Sequence, residues 1–196
     1  MKSVLISIRP QWVEKIVRGE KTIEVRKSAP KGVPFKAYIY CTKDKPYLYR
    51  VDDDNNFELT NTLRPKTDEY VKDYNKQNGK VIGEVVCDKV YLIKNQGDRF
   101  SVAGEEQRVT NEIARNSCLD YYDMVSYLGN KDGYGWHISD LKIYDKPKSI
   151  MTFYKPCPIK LGFKNCPCCE FYSTDTGFCM NQIDRPPQSW CYVEEV

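Results

Sequence analysis

Pro10 and Gly19 constrain the fold of this chain more than any other pair of residues. They bracket eight residues, and the hydrophobic period changes on either side of them. Before Pro10, Ser3–Arg9 alternates, with Val4, Ile6 and Ile8 on one side of a strand. Pro10 suits the first helical turn, where a missing N–H costs nothing. From Pro10 to Arg18 the apolar stripe is Trp12, Val13, Ile16 and Val17, which is a helical spacing. Gly19 fits the left-handed position that ends such a helix, and Arg18 complements its dipole.

The next segment, G-E-K-T-I-E-V-R-K over Gly19–Lys27, carries the chemistry. Thr22–Lys27 reads as a strand. Ile23 and Val25 point into a core, and Thr22, Glu24 and Arg26 share the opposite face. A carboxylate and a guanidinium two apart on one face either pair structurally or share a polar ligand. Lys21, Arg26 and Arg9 can hold phosphate. Glu24 can accept from a base N–H, or serve as a general base for water while Lys21 steers charge. Residues 1–36 hold nine Lys/Arg against three Glu, a local excess of six positive charges in a chain of net +3. Such a patch suits a phosphate backbone, although a solvated basic surface gives the same count.

The remaining chain supplies more strands. Phe35–Thr42 is a strong one, Val81–Ile93 a long β-branched run with a bend expected at Gly83, and Tyr134–Tyr144 another strong one. Asp145–Lys148 reads as a turn and Ile150–Tyr154 as a short strand. Between these, 94–107 reads as polar loop, Val109–Arg115 as a helical turn, and Tyr121–Leu128 as a helix capped by Asp120 and stopped by Gly129. Residues 44–80 form an insertion. It contains a possible hairpin (Lys45–Val51 with Asn56–Thr60), an Asp52–Asp54 run that is either a cation site or a solvated turn, and a helix over Thr67–Gln77. The sum is an α+β chain around a curved sheet or small barrel. Trp12, Tyr38, Tyr40, Tyr134 and Trp136 can stack a base or pack the core. His137, the single histidine, faces away from Trp136, as a catalytic acid or base or as a hydrogen-bonded structural residue.

Residues 156–196 differ in composition. Six of the nine cysteines (157, 166, 168, 169, 179, 191) lie in this stretch or at its start. Cys166 and Cys169 form C-x-x-C, the spacing that grips one tetrahedral ion, and Cys179 and Cys191 can complete a four-thiolate structural Zn2+ site. Cys168 and Cys157 compete for those places. Free or redox-active thiols and an iron–sulfur cluster are the alternatives. Cys41, Cys87 and Cys118 read as buried apolar thiols. The N-terminus lacks a signal-peptide pattern and no apolar run approaches a membrane span, so a cytoplasmic protein without membrane contact is expected.

The order strand, helix, G-x-K-x-x-E-x-R strand, then a meander ending in G-W-H-I resembles the ASCH domain (activating-signal-cointegrator homology) of the PUA-like superfamily. The resemblance runs over roughly residues 3–155 on Gly19, Lys21, Glu24 and Arg26, with Trp12 before them. The segment Tyr134–Lys148 and the later R-P-P-Q-S-W-C-Y-V-E-E are similar to ASCH proteins of bacteriophages and their Gram-positive hosts. The resemblance implies residues 1–155 as an ASCH domain, a small curved β-barrel with flanking helices; 156–196 is then a tail that its cysteine spacing reads as zinc-stapled. The resemblance implies RNA or modified-nucleotide binding in a cleft beside this helix and strand, for which residue chemistry makes Arg9, Trp12, Lys21, Glu24, Arg26, Lys27 and Trp136 the candidate lining. It also implies a hydrolase alternative, as an acetylcytidine amidohydrolase or a ribonuclease; residue chemistry, with Glu24 as general base and Lys21 steering charge, makes Lys21 and Glu24 the candidate catalytic pair. In the amidohydrolase branch a threonine nucleophile lies three residues after the lysine. Lys21 matches that lysine, but Glu24 occupies the threonine position and a carboxylate cannot do the same acyl chemistry. A protein-interaction module is the third reading, with a protein partner in place of nucleic acid.

Overall fold

The computed structural model describes residues 1–44, 49–51, 57–59, 78–157, 172–173, 178–179 and 181–195. The elements run β1 (Lys2–Ile8), α1 (Pro10–Val17), β2 (Ile23–Arg26), β3 (Phe35–Cys41), β4 (Tyr49–Val51), β5 (Phe57–Leu59), β6 (Lys80–Cys87), β7 (Val90–Asn95), β8 (Phe100–Val102), α2 (Gln107–Ser117), α3 (Tyr121–Leu128), β9 (Gly133–His137), β10 (Ser139–Lys148), β11 (Phe153–Tyr154), β12 (Tyr172–Ser173), β13 (Phe178–Cys179), β14 (Trp190–Tyr192) and β15 (Glu194–Glu195). This is a mixed α+β architecture. One sheet has the order β10-β6-β3-β1-β14 and another β2-β9-β7-β8, with two-stranded ribbons β4-β5, β11-β15 and β12-β13.

The chain divides into two compact units. One is built from Gln11–Ala37 and Glu84–Lys142, together with Met1, and the other from Lys2–Pro10, Tyr38–Gly83 and Ile143–Val196. In the first, Ile23, Val25, Ile93, Val102, Ile113 and Leu128 form the apolar cluster, so α2 and α3 cover one face of the four-stranded sheet. In the second, Leu5, Tyr38, Tyr40, Val81, Phe153, Ile183 and Val193 cluster.

Local sequence explains the entry to this fold. α1 starts at Pro10 and ends in a Schellman motif: Gly19 N donates to Ile16 O at 2.9 Å and Glu20 N to Lys15 O at 2.9 Å. Gly19 has φ 74°, a left-handed conformation that an L side chain adopts only under strain. Asp120 caps α3 with a reciprocal capping box to Asp123.

Several sequence expectations shift. The Val81–Ile93 run is two strands, broken at Asp88–Lys89, and Gly83 lies buried inside β6. The charged pair is where the chain can meet water and turn. Tyr134–Tyr144 is also two strands: β9 pairs with β2 and β7, β10 lies beside β6, and Asp140 at φ 45° marks the redirection. The turn expected at Asp145–Lys148 is the end of β10, and Ile150–Thr152 is a 3₁₀ turn before β11. The 94–107 loop contains β8, and the helical turn at 109–115 is a full helix, α2. The insertion's hairpin is present as β4-β5, with Val51 opposite Phe57. The Asp52–Asp54 run and the Thr67–Gln77 helix lie outside the described residues. The end of the tail is integrated: β14 is the edge strand beside β1, and β15 pairs with β11. Among the described residues no helix is long and apolar enough to cross a membrane.

Candidate functional site

β2 is the edge strand of its sheet, yet all four of its residues are buried. α2 packs against it, and its other neighbour is β9. Glu24 pairs in register with Trp136, and Arg26 with Tyr134, so these four side chains leave the same face of the sheet. Ile23 and Val25 leave the opposite face, into the apolar cluster. The alternation read from sequence is therefore present, but the polar face is enclosed.

Lys21 is 2% exposed, Glu24 7% and Arg26 7%. Glu24 Oε1 takes Arg26 Nη2 at 2.9 Å, and Glu24 Oε2 faces Lys21 Nζ at 3.4 Å. One carboxylate thus sits between two cations. Lys21 Nζ also donates to Ser117 O at 2.5 Å, at the C-terminal end of α2 where free carbonyls and the helix dipole favour a cation. The Trp12 ring lies 5.3 Å from Lys21 Nζ and 5.4 Å from Lys15 Nζ, both within cation–π range. A carbonyl, a carboxylate and an aromatic face are the three kinds of group that hold an ammonium in a dry site. Two backbone bonds fix the segment: Lys21 N donates to Lys15 O at 3.1 Å and Thr22 N to Asn116 O at 3.0 Å. Lys21 is therefore set by the ends of two helices.

Glu24 carries a buried acceptor that is incompletely served. Glu24 Oε2 takes no hydrogen bond among the described residues; its contact with Lys21 is Coulombic and long. Trp136 is 2% exposed and meets Phe35 edge to face at 5.0 Å between centroids. It therefore contributes a wall to this face. Stacking a base on it would require Phe35 to move.

Of the residues singled out in the sequence, the structure brings Trp12, Lys21, Glu24 and Arg26 into direct contact. Lys27 is exposed at the end of β2, with Nζ 5.4 Å from the Tyr127 ring. Arg9 is exposed just after β1 and belongs to the other unit. His137 lies on the opposite face from Trp136, as expected, with Nδ1 2.6 Å from Asp88 Oδ1. That bond holds the Asp88 carboxyl below its usual range. Two participants are absent from the sequence reading: Ser117, through its carbonyl, and Tyr127, whose Oη meets Arg26 Nη1 at 3.4 Å. Both lie about a hundred residues from their partners. The Asp120-capped helix is the one local signal that could have flagged Tyr127.

The metal question falls largely on other residues. Cys166, Cys168 and Cys169 lie outside the described residues, and Cys179 is described through its backbone pairing with Tyr172. Cys191 packs against the apolar cluster around Leu5, and burial pushes its thiol up. Among the described residues no three His, Cys, Asp or Glu gather closely enough to hold a metal. Burial raises the Cys41 and Cys87 thiols to about 12, as buried apolar thiols should behave. Cys118 differs from the expectation. It is half-buried at the left-handed cap of α2, and its Sγ contacts Glu20 O at 3.4 Å.

No protein-family model matches this chain, and no curated protein matches it in sequence. Solved structures of ASCH from Zymomonas mobilis are similar in fold. A tyrosine-to-phenylalanine variant is 15% identical with TM-score 0.51, covering 99% of this chain and 91% of that one. A serine-to-alanine variant is 15% identical with TM-score 0.50, covering 98% and 89%. The architecture of this chain is ASCH-like.

Proposed function

We propose that this chain binds RNA or a modified nucleotide at the Trp12–Lys21–Glu24–Arg26 cluster. The observation that carries the reading is Glu24 Oε2, a buried carboxylate oxygen without a hydrogen-bond donor beside two cations. Leaving a buried acceptor unsatisfied costs about 1–3 kcal/mol. A nucleobase amino group is a donor of the right kind, as in carboxylate readout of cytosine N4. The adjoining cations and the basic N-terminal segment suit phosphate. An ionic cluster is also a poor way to stabilise a sheet edge, because apolar replacements are often as good or better. The ASCH-like fold supports the reading at the level of architecture only.

The test is equilibrium binding of an oligoribonucleotide between about 50 and about 200 mM salt, where phosphate contacts give a linear fall of log K with log salt. Glu24→Gln keeps the shape and should change base preference, and Arg26→Ala should weaken binding roughly tenfold or more. Absence of binding by the wild-type chain at the lower salt overturns the proposal.

A hydrolase at the same residues is the second reading, favoured by the same atom. Glu24 Oε2, facing Lys21, can take a proton from water. Acetylcytidine turnover, or metal-independent RNA cleavage abolished by Glu24→Gln, would establish it. For the tail we propose a structural zinc on Cys166, Cys169, Cys179 and Cys191, supported by the C-x-x-C spacing. Stoichiometric zinc in the purified chain is the expected result, and its absence overturns that proposal.

A further inference from the structure

We propose that Tyr127 Oη, with Arg26 and Lys27, forms an oxyanion seat that takes a phosphate of the bound nucleotide; this rests on the nucleic-acid reading above. Tyr127 is half-buried on α3, with its ring packed against the cluster of Ile23, Val25 and Leu128. That packing holds the hydroxyl at the end of β2. Arg26 Nη1 donates to it at 3.4 Å. With a lone pair so engaged, the phenol hydrogen points elsewhere, and no acceptor takes it among the described residues. Lys27 Nζ lies 5.4 Å from the same ring and has no carboxylate partner among the described residues. A guanidinium and a phenol O–H therefore meet at the end of β2, an ammonium lies over the same ring, and all three are donors.

A base edge presents donors and acceptors in mixed order, whereas a phosphate presents acceptors only. The donor set at Tyr127 matches the second. Glu24, two residues back along the strand, holds Arg26 Nη2 with Oε1 at 2.9 Å and offers the opposite polarity with Oε2, an acceptor for a base or sugar donor. The strand thus separates the two recognition tasks within the span of one nucleotide. The phosphate can be an internal phosphodiester or the terminal phosphate of a free nucleotide, since both present the same oxygens.

The experiment measures binding of three probes to the full chain: an oligoribonucleotide without terminal phosphate, a nucleoside 5′-monophosphate, and the matching nucleoside. Tyr127→Phe keeps the ring under Lys27 and removes only the hydroxyl. It should weaken the phosphate-bearing probe that occupies the seat by roughly tenfold and leave the nucleoside unchanged. Lys27→Gln, an exposed change, should lower the salt slope for the oligoribonucleotide by about 0.7. A loss confined to the oligoribonucleotide identifies a phosphodiester, and a loss confined to the monophosphate identifies a terminal phosphate; either supports the seat. Unchanged affinity in both variants, with the wild type still binding, overturns the seat and leaves the nucleic-acid reading standing. An equal loss for the nucleoside overturns it too, because the hydroxyl would then be reading base or sugar. If the wild type binds none of the three probes, both fail together.

Discussion

β1 and β2 are both enclosed strands, and they are enclosed in opposite ways. Val4, Leu5 and Ile6 are at most 2% exposed, so β1 is apolar on both of its faces. β2 is buried to nearly the same degree, but Glu24 and Arg26 occupy one of its faces. Apolar burial needs no particular partner and contributes about 25 cal/mol per Å². Ionic burial removes hydration that only well-placed partners can replace, and its net contribution to folding is small. The β1 solution is the one a chain adopts for stability. The β2 solution keeps Lys21, Glu24 and Arg26 in fixed positions at little net gain to folding, as the proposed recognition surface requires.

Single substitutions should break this comparison most visibly. Glu24→Ala leaves Lys21 and Arg26 facing each other without their carboxylate, and should cost about 3–5 kcal/mol in urea unfolding. Leu5→Ala opens a cavity in the apolar cluster and should cost about 2–5 kcal/mol. The two differ in binding: the folded fraction of Leu5→Ala should keep its RNA affinity, and that of Glu24→Ala should not. The triple change Lys21→Met, Glu24→Leu, Arg26→Met then sharpens the contrast. It should be neutral or more stable by about 1–4 kcal/mol and should not bind RNA. A triple variant markedly less stable than the wild type would show that the ionic face is structural, and the distinction between the two strands would collapse.

How far the sequence reached follows from the range of each interaction. The helix between Pro10 and Gly19 and the alternation of β2 depend on residues within four positions of one another, and both were legible. The burial of the polar face was not, because a strand's pattern does not state what lies against it: the Ser117 carbonyl that Lys21 meets is at the end of α2, and Phe35, which packs on Trp136, starts another strand. The burial of Lys21 was hidden for the same reason; its partner carbonyl is 96 residues away. Tyr127 was hidden within the stripe of an ordinary amphipathic helix. The two long β runs were misdivided because alternation continues unchanged when a strand leaves one sheet for another. Asp88–Lys89 was the better marker of the break than Gly83, since a buried glycine fits inside a strand and two adjacent charges do not.

The smallest effect belongs to a hydrogen-bonded pair that water reaches. His137 and Asp88 are 2.6 Å apart, with side chains 37% and 51% exposed. Asp88 is held below its ordinary value of 3.8, chiefly by the hydrogen bond from His137. A carboxyl with a depressed folded pKa contributes stability above its unfolded pKa and loses it as pH falls through the folded one. Stability should therefore decline below about pH 4 in part through this group, and Asp88→Asn should remove that part of the slope. Solvent screening limits the difference to roughly 0.5 kcal/mol. Melting curves of the wild type and Asp88→Asn, taken from neutral pH down through the acid range, measure it directly. If the curves separate by more than about 1 kcal/mol, an exposed pair is contributing more than screening permits. Enclosure would then not be what distinguishes the Lys21–Glu24–Arg26 cluster from the other charges of the chain.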